Sequence, residues 1–442
     1  MRHVVIMSTT ASAGLVSLFF VDFLDLYFIS LLGQKELAAA VGFAGAILYF
    51  TMSMTIGLMI AMGALGAQRI GRGVPEEARR IATNIAVVAL ILSAVVAGVF
   101  WIFAPAMIDI LGASGETKDL AVRYLRIVLP SLPIAALAMV FSGLLRAHGD
   151  AKRAMNSTLS AGIVNAVFDP ILIFGLGLGL DGAAIASVLA RVAMLISAGL
   201  PVLRHYGGLA AFRRDWFRED LAPIFGIAGP AILTNIATPV GAIIVTRAIA
   251  SFGDSAVAGF AVVSRLSPLA FCVIFALSGA VGPIIGQNFG ASLFPRVSET
   301  LRKGLIFAFW YTFFAWVVLF ALNGLIIEQF KLDEAAGELV FWFALIVAPL
   351  FVFNGALFVA NAAFNNLNRP LWSTWLNWAR NTLGVVPFVV LGAAWGGGPG
   401  VIIGHAIGGV FFGILGVWLA FRLVRTYARD HREAIAPSIT PL

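Results

Sequence analysis

Asn165 and Asp169 stand four residues apart in an apolar stretch, and Pro170 follows the acid directly. On a helix this spacing puts both side chains on one face. Pro170 cannot donate to the carbonyl of Ala166, which opens a polar gap beside the carboxylate. Asp22 and Asp25 lie in a second apolar stretch. These three are the acidic residues read here as lying inside membrane-length stretches, all of them in the first half of the chain. A carboxylate at the middle of such a helix costs about 2.5–3.5 kcal/mol on insertion scales, and residues that carry this cost usually face a water-filled cavity and mark an ion or substrate path.

Asp25 and Asp169 each come to about 10 Å below the outer surface when counted from the ends of their stretches. Ser187 reaches a similar level. Two carboxylates close together in a low dielectric cannot both ionise cheaply, which is the chemistry of a proton carrier. The same oxygens, with Asn165 and a hydroxyl, could instead hold Na⁺. The bland alternative is that hydrogen bonds neutralise Asp25 and Asp169 and the pair only stabilises helix packing, with Asp22 lining the same cavity.

The elements that position these groups follow from composition. The chain has 442 residues, 60% hydrophobic and 12% charged, against about 25% charged in soluble domains. That is an all-α polytopic membrane protein. Its one cysteine, Cys272, excludes an intrachain disulfide. Residues 4–31 read as a retained helix, because they hold two acids and no small-residue cleavage site.

Cutting at charged and Gly/Pro-rich stretches predicts twelve transmembrane spans: 4–31, 42–66, 83–104, 120–145, 155–176, 183–203, 222–250, 257–285, 304–327, 337–364, 372–393 and 401–424. With the N-terminus inside, the inner segments carry 20 Lys/Arg and the outer loops three, Lys35, Lys118 and Lys331. This asymmetry places both termini in the cytoplasm. It also accounts for most of the net charge of +7 without a nucleic-acid partner.

The halves repeat. Residues 33–38 align with 253–258, 68–71 with 287–290 and 153–158 with 369–374, at offsets of 220, 219 and 216. Six spans per half give both halves the same orientation. Parallel repeats of this kind place substrate between them. The reading is two pseudo-symmetric six-helix lobes, 1–203 and 222–424, joined by a basic cytoplasmic linker over 204–221 and followed by a cytoplasmic tail over 425–442.

Other residues carry weaker signals. His405 could carry a proton, although a lone His on a Gly-rich helix is more often a packing residue. Arg191, Arg247, Arg265 and Arg380 fall in spans and could pair with the acids or with anionic lipid, Arg247 snorkelling from an outer end. No Walker loop, His-Glu-x-x-His or Gly-x-Ser-x-Gly motif occurs, and no His/Cys cluster suits a transition metal.

At the following residues the chain resembles the multidrug and toxic compound extrusion (MATE) family, most closely its DinF-like prokaryotic branch. They are the stretch Asp25-Leu26-Tyr27-Phe28-Ile29-Ser30-Leu31-Leu32-Gly33, the loop Arg146-Ala147-His148-Gly149-Asp150, and Asn165 to Asp169-Pro170 with Gly182–Ser187. The resemblance covers essentially the whole chain. It implies an inner-membrane antiporter, not an enzyme and without a cofactor, that expels hydrophobic or cationic organic compounds in exchange for H⁺ or Na⁺; two complete lobes in one chain make a monomer sufficient. It carries the coupling-ion site over onto Asp25, Asn165, Asp169 and Ser187. The family usually has Thr where Ser187 stands, and often a Pro near Thr10. The second lobe lacks the acids that another branch uses for Na⁺, so the coupling site falls in the first lobe. Two alternatives remain open. One is a lipid-linked-saccharide flippase of the same superfamily, using Arg191, Arg265 and Arg380. The other is an intramembrane enzyme with an Asp25/Asp169 dyad.

Overall fold

Hydrocarbon offers backbone groups no water, so an apolar chain satisfies them inside helices. The computed structural model describes residues 8–10, 12–14, 16–17, 28–29, 32 and 35–435; the described residues form helices and no strand. Asp22 and Asp25 lie outside the described residues.

In chain order the helices are α1 (Lys35–Gly71), α2 (Pro75–Ile110), α3 (Gly115–Val128), α4 (Leu132–Ala147), α5 (Ala151–Pro170), α6 (Leu180–His205), α7 (Arg214–Ala250), α8 (Asp254–Ala270), α9 (Cys272–Gly290), α10 (Phe294–Gln329), α11 (Glu334–Trp342), α12 (Ala348–Asn366), α13 (Pro370–Asn381) and α14 (Val386–Ile435). Among the described residues ten helical stretches are long and apolar enough to cross a membrane. The last of them, Pro370–Glu433, contains two predicted spans, because the backbone leaves helical geometry at Gly396 and Gly397. Long apolar faces look outward: Ile91, Val95, Ile102 and Phe103 on α2 are each more than half exposed, as a lipid-facing stripe requires.

Five predicted spans are interrupted, those at 120–145 and 372–393 by the turns at Leu129–Ser131 and 382–385. The span at 155–176 passes from α5 into a π turn at Ile171–Gly175, and that at 337–364 has a π turn at Phe343–Val347 ahead of α12. In each case a proline, Pro170 or Pro349, adjoins the turn, and its missing N–H opens the hydrogen-bond ladder. The span at 257–285 breaks at Phe271, just beyond Pro268. One sequence expectation is corrected. Glu338 falls inside the predicted limits 337–364, so Asp22, Asp25 and Asp169 are not the complete set of acids in spans. It is exposed on α11 and accepts from Trp342 Nε1 at 3.2 Å. In the segment read as a linker, only 206–213 is non-helical, because α7 begins at Arg214.

The described residues divide into two compact units, Ala13–Ile232 and Leu233–Leu442 with Met1–Ser12. The boundary falls within α7, ten residues past the start of its predicted span. In the first unit one core gathers Leu58, Met62, Ile81, Ile85, Leu144 and Ile227, and a second gathers Ile29, Ile108, Leu125, Leu129 and Ile173. The second unit is built around Phe271, Ile274, Leu357 and Phe364.

Candidate functional site

Asp150 starts α5 as its N-cap, accepting from the Arg153 amide at 3.1 Å. From that start Ser157, Ala161, Asn165 and Asp169 fall at four-residue intervals on one buried stripe. Asn165 is 3% exposed and Asp169 is completely covered. The neighbouring helix α6 holds this stripe. Ser157 and Ser160 of α5 donate to the carbonyls of Met194 and Ala193 at 3.4 and 3.5 Å. At its other end α6 presses Gly182 onto the π turn, where an added Cβ would sit 2.7 Å from the carbonyl carbon of Leu172. Only glycine permits that approach. Ser187 is half-buried on α6. The structure therefore places Asn165 and Asp169 on one buried face and Ser187 on the helix packed against it. A covered carboxylate with an amide one turn away supplies hard oxygen donors, suited to a proton or a small alkali cation.

The four arginines predicted in spans part ways. Arg191 donates to the Val128 carbonyl at 3.1 Å and to Ser131 Oγ at 2.8 Å. It thereby caps the irregular turn between α3 and α4 and is a structural residue. Arg247 and Arg265 are exposed. Arg380 is half-buried at the end of α13 and donates from Nη1 to Asn354 Oδ1 at 2.6 Å.

Sequence reasoning missed two polar clusters. In the second unit Asn361, Asn365, Ser373, Asn377 and Asn381 are all buried. Asn377 Nδ2 donates to Asn361 Oδ1 at 3.1 Å, and Ser373 Oγ to Asn365 Oδ1 at 3.3 Å. The four-residue spacing of the asparagines on each helix was the readable signal. In the first unit the start of α7 delivers Glu219 and Asp220 to α1 and α2. Arg80 Nε meets Asp220 Oδ2 at 3.0 Å, Arg80 Nη2 meets Glu219 at 2.6 Å, Asn84 Nδ2 donates to Asp220 at 2.7 Å, and Arg69 lies 3.7 Å away. Arg80 also covers the Trp216 ring at 5.1 Å.

With this geometry in place, the chain can be set beside known proteins. The MatE family pattern matches it twice, over residues 11–171 and 230–391. The chain belongs to the MatE family of transporters. The two matches begin 219 residues apart, in step with the internal repeat. This MatE chain is 29% identical over 424 residues to a protein described as an FAD transporter from Shewanella oneidensis, covering 94% of this chain and 93% of that one. It is 25% identical over 350 residues to the multidrug export protein MepA of Staphylococcus aureus, covering 76% and 75% of the two chains. Its structure is similar to a crystal structure of the Vibrio cholerae MATE transporter VcmN, with a TM-score of 0.90, 24% identity and 97% of each chain covered. It is equally similar to the bent form of VcmN, with a TM-score of 0.90 and 25% identity over 96% of this chain and 97% of that one. As a MatE transporter it is a multi-pass membrane protein.

Proposed function

We propose that this protein is a secondary active exporter of organic compounds, driven by H⁺ or Na⁺ entering through the first unit. In this reading it sits in a prokaryotic inner membrane with both termini in the cytoplasm. The observation that carries the reading is Asp169, a completely covered carboxylate one turn from buried Asn165 on a helix that breaks immediately afterwards. An acid placed there at the cost of membrane insertion is a functional group by default. Asp25, Asp22 and Ser187 complete the proposed set. The ion shifts the transporter between its states by its difference in affinity for them.

For the substrate, resemblance to the multidrug export protein MepA supports drugs, the hydrophobic or cationic compounds that the family resemblance implies. A second reading is favoured by the FAD transporter relative, which matches nearly the whole chain: an anionic flavin nucleotide or a compound like it. The flippase alternative loses support, since Arg191 is occupied in capping a turn and Arg265 is exposed. The test is substrate movement in reconstituted vesicles under a pH gradient and, separately, a Na⁺ gradient, with ethidium and FAD as substrates. Uphill movement under one gradient names the ion and the substrate class. Passive movement alone under both gradients would sink the reading.

A further inference from the structure

The second unit has a polar centre that ion coupling does not use. Arg380 lies at the end of α13, and among the described residues it pairs with no carboxylate; its one partner is the neutral amide of Asn354. An arginine in a membrane span costs about 2.5–3.5 kcal/mol on insertion scales and is normally paired. One of its five N–H donors is engaged by Asn354, which leaves a fork suited to two oxygens of an anion. His405 of α14 stands one helical turn before Gly409, which packs beside Asn354, and its Nδ1 is buried with no hydrogen-bond partner.

The backbone holds these groups together. α13 stops at Asn381, and residues 382–385 form a non-helical turn in which the Gly384 amide reaches five residues back to the Ala379 carbonyl, at 2.9 Å. Gly400, Gly404 and Gly408 form one small-residue stripe on α14. Gly408 packs directly on the Gly384 carbonyl and Gly404 on that of Phe388, which locks α14 against the break. On the same helix Gly409 sits beside Asn354. Interrupted helices are where transporters of this architecture bind ligands.

We propose that Arg380, Asn354 and His405 form a binding site for the anionic group, a carboxylate or phosphate, of the exported compound. The assignment rests on the export reading above. A guanidinium repels H⁺ and Na⁺, so this centre is separate from the coupling site and complements it in charge. The preferred cargo is then an organic anion with an apolar body.

Equilibrium binding to the full-length protein in phosphatidylcholine nanodiscs, without any gradient, tests it. The probes are the anionic dye carboxyfluorescein and the cationic dye ethidium. Arg380→Gln should weaken carboxyfluorescein binding about tenfold or more and leave ethidium binding within about twofold of wild type. Arg380→Lys should fall between, since it keeps the charge and loses the fork. Asn354→Asp supplies an internal counter-ion, so it should abolish dye binding while the protein stays folded; it decides the matter if Arg380→Gln does not fold. Unchanged dye affinity in either folded variant, or no dye binding by the wild type, overturns the proposal. Nanodiscs containing phosphatidylglycerol separate the other source of phosphate. Arg380-dependent retention of that lipid without dye binding would overturn the assignment to exported compound. Because no ion gradient is applied, failure of the coupling reading leaves this result standing, and the reverse also holds.

Discussion

Arg80 on α2 and Asp220 at the start of α7 meet at 3.0 Å, 140 residues apart in sequence, and Asn84 closes on the same carboxylate at 2.7 Å. Asp220 is 4% exposed. This pair fastens the start of α7 to the first unit, so the chain enters that helix along a fixed path.

Removing Asp220 takes a buried carboxylate from Arg80 and Asn84 together and leaves Arg80 with Glu219, while removing Arg80 leaves buried Asp220 with Asn84 and the more distant Arg69. Asp220→Ala should therefore destabilise the protein by about 2–4 kcal/mol, and Asp220→Asn by less, since its amide oxygen still accepts from Asn84. Pairing Arg80→Ala with Asp220→Ala should cost less than the sum of the two single changes. Thermal unfolding in detergent measures all four proteins; strict additivity would show that the contact carries no coupling.

The turn between α4 and α5 gives the first unit a pH dependence. Burial alone would raise the Asp150 pKa, but hydrogen bonds from Arg153 and Tyr206 outweigh it and leave the carboxyl below its ordinary value. Burial also lowers His148, against a smaller opposing effect of Asp150, and its ring stacks on Tyr206 with centroids 4.2 Å apart. Both groups resist protonation in the folded state. Their contribution is complete above the unfolded-state values, near 6.5 for His and 3.9 for Asp, and falls as pH drops below each. The melting temperature should decline in two stages on acidification. His148→Gln should remove the upper stage and leave the lower one.

Close packing of α14 on the turn after α13 admits no side chain at Gly408. A Cβ there would collide with the Gly384 carbonyl, a backbone atom that cannot swing aside. Gly408→Ala should cost about 1–3 kcal/mol or more. Gly324→Ala, with open space around the site, should be neutral. Equal melting of the two variants would contradict the packing described.

The helical fold, the repeat and the Asn165–Asp169 stripe were legible because each depends on spacing along one element. A four-residue interval fixes a shared face wherever the helix lies. The interruption at Pro170 was legible, since a missing N–H acts locally; Pro349 carries the same signal and was passed over. What escaped depended on distant partners. Arg-Arg-Asp-Trp-Phe-Arg-Glu-Asp at 213–220 looks like a solvated linker until Arg69 and Arg80 arrive to bury Asp220. Arg380 and His405 looked like isolated polar residues, and only the stacking of Gly408 on Gly384 unites them. Arg191 showed the converse, since its partners Val128 and Ser131 lie in a turn whose carbonyl the sequence does not expose.

The central claim is that Asp169 binds the coupling ion. It is tested by uphill transport and gradient-free substrate binding measured side by side on wild type and Asp169→Asn in the same reconstituted preparation. The account predicts that the mutant loses uphill transport under the coupling gradient and binds substrate with affinity close to wild type. Uphill transport that survives in Asp169→Asn would contradict it and leave Asp169 a packing residue.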